Sequence, residues 1–320
     1  MKERAMAQSA AKINLAKARV KAAPSYEELF DRNYGVFTRE QQERIRGARI
    51  LIVGCGGIGA AVAVMLARSG VEHFVLVDFD EYTVSNMNRQ IGCFGDTLNR
   101  PKTDVIAGQI LSINPRADVV SMPENLSIPQ IAKLMEQADV VFPAADDFAF
   151  SIMLFREAAR LDKPALFVVP SGEWANVSMM MPGTMSLEDM KGVPKLETYQ
   201  DLRAMLETRK YKFATFYYMI LGGWRKEYYR DFIEKDAPPA QLCPTVWLAS
   251  ALGAREVLKV LSGKSKPVAP PRYWSVTADR VRICNAYLPS VETFFVWQRK
   301  IMWRLFQTPA ASLMELGQKI

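Results

Sequence analysis

The stretch Ile50 to Asp78, ILIVGCGGIGAAVAVMLARSGVEHFVLVD, constrains this chain more than any other. A short apolar run, 50–53, ends at Gly54, Gly56, Gly57 and Gly59. An Ala-rich helical stretch over 57–69 follows, and then a second apolar run over 74–78. Two buried strands separated by a helix-length segment form a parallel pair, because a parallel connection needs a crossover of a dozen residues or more. Gly54, Gly56 and Gly59 satisfy G-x-G-x-x-G. Glycine at those positions permits a tight turn and a close approach of backbone N–H groups to a phosphate, with the helix dipole adding positive potential. Asp78 ends the second strand, where a carboxylate can accept hydrogen bonds from ribose hydroxyls. Taken alone, this unit signals any adenine nucleotide.

The alternation continues downstream. A helix is expected over 103–113, a strand over 118–122, a helix over 129–136, a strand over 139–143, a helix over 147–161 and a strand over 165–169. That pattern predicts an α/β fold, a doubly wound, Rossmann-like and mostly parallel sheet. From Ser171 the texture changes to an additional C-terminal α+β portion. Met179–Met181 closes at Pro182-Gly183, helical patches cover 199–208 and 226–234, and Ala237-Pro238-Pro239 reads as a linker. An apolar helix over 245–261 ends at Gly263, residues 272–283 alternate like a hairpin, and 294–306 form a Trp/Phe-rich helix. The expected organisation is a basic extension 1–23, a nucleotide-binding core 24–172, a substrate and crossover region with sheet completion 173–290, and a C-terminal helix 291–320. The apolar helix and the Trp/Phe-rich helix are both candidate assembly surfaces.

Composition narrows the function classes. With 320 residues, 49% hydrophobic and 23% charged, the chain can bury a large core. No run of about 18 apolar residues is present, so no membrane partner is expected. The absence of a signal-like start and of any CxxC among Cys55, Cys93, Cys243 and Cys284 predicts a cytoplasmic protein without zinc. The net charge of +7 owes much to the first 21 residues, where six Lys or Arg face only Glu3. The remainder is mildly basic, so nucleic acid is not the expected partner. His73 is the sole histidine and reads as structural, which excludes a Ser-His or Cys-His relay elsewhere.

Residues after Asp78 exceed the needs of a dinucleotide. Asp80, Asn86, Arg89, Gln90 and Lys102 lie within 25 residues of it. Cations, an amide and carboxylates together suit a triphosphate whose α-phosphate is attacked while pyrophosphate departs. Asp146 and Asp147 follow the strand 139–143, at the strand end where ligands of parallel sheets bind, and could hold magnesium there.

The chain resembles the superfamily of ThiF, MoeB and HesA, whose adenylating domain is shared with ubiquitin-activating enzymes. The matching elements are DRNYG (31–35), GCGGIG (54–59), DFD (78–80), SNMNRQ (85–90), PK (101–102) and ADD (145–147), and ALGAREVLKVLSGK is similar to the family's late helix. The resemblance implies that residues 24–172 bind ATP and adenylate a substrate. It implies that Asp78 binds ribose, that Asn86, Arg89 and Gln90 hold the β- and γ-phosphates, that Lys102 acts near the α-phosphate, and that Asp146 sits at magnesium. It further implies a homodimer in which Arg32 reaches across to the partner's ATP.

The paired CxxC zinc motif of many relatives is absent. Only Cys243 occupies the region where sulfur-transferring members carry a cysteine, and residues 186–236 align with no part of the family. The expected activity is ATP-dependent adenylation of a carboxylate on a small carrier protein or peptide. The rival readings are an NAD-dependent oxidoreductase, a tRNA-modifying dehydratase of the same superfamily, and an inactive nucleotide-binding scaffold.

Overall fold

Both described helices that precede the first strand start on reciprocal caps. In α1 (Tyr26–Leu29) Ser25 and Glu28 exchange bonds, and in α2 (Arg39–Gly47) Thr38 and Gln41 do the same. A 3-10 turn, Asp31–Gly35, lies between them. The computed structural model describes residues 24–208, 211–212, 215 and 220–307, so the basic extension 1–23 lies outside the described residues.

The expected alternation follows, as β1 (Arg49–Val53), α3 (Gly57–Arg68), β2 (His73–Val77), α4 (Lys102–Ile113), β3 (Asp118–Met122), α5 (Ile128–Glu136), β4 (Val140–Pro143), α6 (Phe148–Arg160) and β5 (Ala165–Ser171). The C-terminal portion adds β6 (Trp174–Met180), α7 (Leu187–Lys191), α8 (Tyr199–Leu206), α9 (Lys226–Glu234), α10 (Cys243–Ser262), β7 (Arg272–Thr277), β8 (Arg280–Asn285) and α11 (Val291–Gln307). All eight strands form one sheet in the order β3-β2-β1-β4-β5-β6-β7-β8. The first five are parallel; β6, β7 and β8 are antiparallel to their neighbours. The order reverses between β1 and β4, which opens a crevice at their carboxyl ends.

Helices cover both faces. On one, residues such as Ile45 of α2, Leu66 of α3, Ile106 of α4 and Val257 of α10 join the sheet in one core. On the other, Met135 of α5, Ile152 of α6, Met190 of α7 and Leu202 of α8 form the second. β6 is longer than the methionine run suggests: it starts at Trp174, directly after Gly172 and Glu173, and pairs along seven residues of β5.

One expectation is corrected here. The apolar side of α10 serves the core rather than assembly. Val246, Ala249, Ala254, Val257 and Leu261 are buried, against α3, β5 and β6, and only Trp247 and Leu248 near its start are large exposed apolar groups. In α11 the sides divide differently: Phe295 is buried, whereas Phe294, Trp297 and Ile301 are exposed. α11 is pinned to the sheet by Glu292, which accepts from Trp174 Nε1 (3.2 Å), Asn176 Nδ2 (3.1 Å) and the Ser275 hydroxyl. The buried Lys191 ammonium donates to Asn176 Oδ1 in the same cluster. Burial pushes that ammonium down to about 7, with Glu292 pulling it back.

Candidate functional site

The site is assembled at the ends of β1, β2 and β4. The chain leaves β1 through Gly54 at φ +101°, and a Cβ there would lie 2.5 Å from Ala144 O. Gly54 N donates to Val77 O at 2.7 Å, and Ala144 N donates to Val53 O at 2.7 Å, so the turn is bound to both neighbouring strand ends. α3 then begins at Gly57 with Gly56 as its N-cap and no side chain capping it. Its first N–H groups remain available to an anion.

Asp78 is buried and held on both oxygens: Cys55 N donates to Oδ2 at 2.6 Å, and Asp80 N donates to Oδ1 at 2.9 Å. Burial pushes its carboxyl up, while Lys102 and the two backbone donors pull it down. Lys102 opens α4, with its side chain 5% exposed and its Nζ 2.7 Å from Asp80 Oδ2. The Lys102 backbone N–H also donates to Asp80 O at 3.0 Å, which fixes where that ammonium can point.

A cavity of about 380 Å³ joins these groups. Gly54, Gly56, Asp78, Asp80 and Lys102 line it, together with an apolar group of Leu126, Ile131 and Phe150. Its size and its mixture of apolar and convergent polar groups are those of a small-molecule site. Asp146 lies exposed at the rim and makes no hydrogen bond or ion pair among the described residues. Asp147, expected beside it, is already engaged. Its Oδ1 caps α6 by accepting from Phe150 N at 2.9 Å, and its Oδ2 accepts from Tyr199 OH at 2.7 Å.

Arg89 and Gln90 lie next to this cavity rather than in its lining, and Asn86 is not part of the lining either. A Cβ on Gly57 would sit 3.5 Å from Arg89 Cγ, and one on Gly56 would sit 3.7 Å from Gln90 Nε2, so both side chains border the glycine turn. The Arg89 guanidinium folds back onto its own loop, donating to Ser85 O at 3.2 Å and Asn88 Oδ1 at 2.8 Å. Gln90 is buried, and its Oε1 has no hydrogen-bond partner among the described residues. Asn86 uses its carbonyl to accept from Thr83 N at 3.1 Å and keeps its amide N–H groups for other use. The loop is tied to α10 and to the residue stretch just before it: Trp247 Nε1 donates to Arg89 O at 2.9 Å, and Asn88 Nδ2 donates to Gln241 O at 3.3 Å. Cys243, half-buried, sits between those two anchor points in the first turn of α10.

Arg32 is exposed and distant from the cavity of its own chain. The adjacent Asn33 donates to Ser69 O at 3.0 Å, at the far end of α3 from the glycine turn. A helix of 12 residues places those ends about 18 Å apart.

Sequence reasoning missed Tyr199 and Arg203, which α8 brings to the cavity from the segment that aligned with nothing. Their i, i+4 spacing on one helix face was the available signal. Glu124 and Asn125, after β3, were also missed. Among the described residues, no group of three or more His, Cys, Asp or Glu side chains is placed to hold a metal. Magnesium needs less, because it commonly takes one or two carboxylates together with substrate phosphates, and Asp146 fits that arrangement. No described helix is long and apolar enough to cross a membrane.

A sequence model of the ThiF family matches residues 30–290. The tRNA threonylcarbamoyladenosine dehydratase of Bacillus subtilis is 30% identical over 138 residues, 43% of this chain and 54% of that protein. The molybdopterin-synthase adenylyltransferase of Haemophilus influenzae is 28% identical over 161 residues, 50% of this chain and 62% of that protein. The matches thus span between about half and three-fifths of those curated relatives. A crystal structure of E. coli MccB with ATP superimposes with a TM-score of 0.62 at 23% identity, covering 80% of this chain and 70% of that one. At that identity the likeness is one of fold.

Proposed function

We propose, given that this chain belongs to the ThiF family, that it is an ATP-dependent adenylyltransferase acting on a carboxylate of a small carrier protein or peptide. The observation that carries the reading is the buried Lys102 facing the same cavity as the uncapped glycine turn and Asp78. A dinucleotide gives Lys102, Arg89 and Asp146 no task, which disfavours an NAD-dependent oxidoreductase.

The chemistry follows from the charges. Asp78 accepts from ribose hydroxyls, and the N–H groups opening α3 receive phosphate oxygens. The acceptor's carboxylate oxygen attacks the α-phosphorus, the bond to the β-phosphate oxygen breaks, and an acyl-adenylate and pyrophosphate result. A carboxylate is already ionised at neutral pH, so no general base is required. Lys102 neutralises charge gathering on the α-phosphate. Arg89 turns from Ser85 O and Asn88 towards the departing phosphates, assisted by the amides of Asn86 and Gln90. Magnesium, held at Asp146, would add Lewis-acid stabilisation of the leaving group. Catalysis on this account is alignment and charge neutralisation. The reaction belongs in the cytoplasm.

Nucleotide choice tests the reading directly. Mg·ATP at about 100 times its dissociation constant should stabilise the fold by roughly 2.7 kcal/mol, and NAD should not. Pyrophosphate should exchange into ATP when carrier proteins or peptides encoded beside this gene are added. A thermal shift with NAD and none with Mg·ATP would reverse the assignment. Exchange stimulated by tRNA rather than by those proteins would move it to the tRNA-modifying branch.

The remoteness of Arg32 from its own cavity supports a homodimer in which it completes the partner's site. Arginine suits the task because its permanently charged fork grips phosphate oxygens in pairs. Arg32→Ala and Lys102→Ala should each be inactive alone. Mixed after proven subunit exchange, they should recover a fraction of wild-type exchange, since a mixed dimer holds one intact composite site. A monomer in sedimentation, or no recovery, overturns the shared site.

A further inference from the structure

The cavity is lined by two chemically distinct sets of groups. One is the glycine turn and Lys102, which suit phosphates; the other is Leu126, Ile131 and Phe150, which belong to one apolar cluster and suit a flat base. α8 meets the second set. Tyr199 meets Phe150 edge-on, with ring centroids 6.4 Å apart and an interplanar angle of 83°. Its hydroxyl donates to Asp147 Oδ2 at 2.7 Å and accepts from Arg203 Nη1 at 3.1 Å. Arg203 Nε donates to Glu207 Oε1 at 2.8 Å. The guanidinium is therefore held along two of its edges while it lines the cavity, with its side chain 55% exposed. A planar cation fixed at its edges still presents a face, and guanidinium faces stack on aromatic rings.

We propose that α8 forms the roof over the nucleobase, with Arg203 stacking on the purine and Tyr199 acting as the positioning residue that fixes the guanidinium plane. This deepens the adenylyltransferase reading and rests on it. The roof comes from the variable segment, so nucleotide grip and the region that distinguishes this chain share one short helix. Tyr199 couples it to Asp147, the residue immediately after the rim carboxylate Asp146. Ordering of the base and placement of Asp146 thereby involve a single hydrogen-bonded chain, Arg203 to Tyr199 to Asp147.

The test compares ligands that share the base and differ in phosphates. Adenosine, AMP and ATP are titrated against the full chain by calorimetry, with Arg203→Ala, Arg203→Lys and Tyr199→Phe alongside wild type. Stacking on the base predicts that Arg203→Ala weakens all three by the same factor, roughly tenfold. Arg203→Lys should restore little of it, because charge without a plane does not stack. Tyr199→Phe should weaken binding less, and by nothing further in the Arg203→Ala background. Loss confined to ATP would place Arg203 at the phosphates, and unchanged binding of all three would place it outside the site; either overturns the proposal. Wild-type chain that binds no adenine nucleotide would instead remove the adenylyltransferase reading beneath it. Circular dichroism melts control for folding, and Glu207→Gln, which loosens only the outer anchor, gives a second route if Tyr199→Phe melts early.

Discussion

Lys102→Met is expected to abolish most pyrophosphate exchange, a loss on the order of 10²–10³-fold, while the protein stays folded. The substitution keeps an unbranched stem in a nearly closed site and removes only the charge. Its partner Asp80 is 47% exposed on its side chain, so water can take over the vacated bonds, and the stability cost should be roughly 1–3 kcal/mol. The effect on chemistry is larger because a fixed cation in a water-poor cavity acts on charge that develops only in the transition state. A second signature accompanies it. Lys102 is the main favourable charge offsetting the burial that raises the Asp78 carboxyl. Without it Asp78 climbs further, and the pH below which the ribose acceptor becomes protonated moves up. ATP binding by Lys102→Met should therefore fade at a higher pH than wild type on acidification. Unchanged exchange, or an acid limb that does not move, would count against both the role of Lys102 and its coupling to Asp78.

Gly59→Ala is expected to be severely damaging for a change of a single methyl group. A Cβ at that position would fall 1.9 Å from Gly54 O and 3.2 Å from Ile52 Cγ2. The first neighbour is backbone of the turn itself and cannot rotate away, so α3 would have to lift from β1. Overpacking of a well-ordered site typically costs about 1–3 kcal/mol, and the displaced helix start would also lose its aim at the phosphates. The prediction is a clear fall in melting temperature together with loss of ATP binding. Gly108→Ala is the control. That glycine lies within α4, and a methyl group added to it would meet nothing within 4 Å, so the change should stabilise by roughly 0.5–1 kcal/mol. Equal melting temperatures for the two variants would refute the packing argument.

The sequence disclosed the βαβ unit and its alternation because those features are local: a strand run, glycines at fixed offsets, and helical lengths between apolar runs. Gly54, Gly56, Asp78, Asp80, Lys102 and Asp146 could be gathered because strand ends of a parallel sheet lie together by topology. What stayed hidden was long-range. That α10 spends its apolar side on α3 and the sheet is not written in its composition, since a core helix and an interface helix have the same residues. The sequence places its start at 245, whereas α10 begins at Cys243, with Pro244 in the first helical turn where proline is tolerated. Tyr199 and Arg203 were visible as helix residues, but only tertiary packing sets them against Asp147. Arg89 was identified by motif, whereas its fold-back onto Ser85 and Asn88 depends on side-chain rotamers that no spacing rule specifies.

The placement of α10 bears on how the chain can be divided. Its buried side closes over α3, β5 and β6, and its first turns hold the loop that carries Arg89. A fragment ending after β5 would keep every nucleotide motif in its sequence, yet it would expose Leu166 where α10 had packed, and it would release the backbone of Arg89. Motif content and an independently folding piece are therefore different things in this protein. Dissection is better aimed at the stretch between β6 and α10, where the chain departs from the sheet and returns to it, than at the boundary between parallel and antiparallel strands.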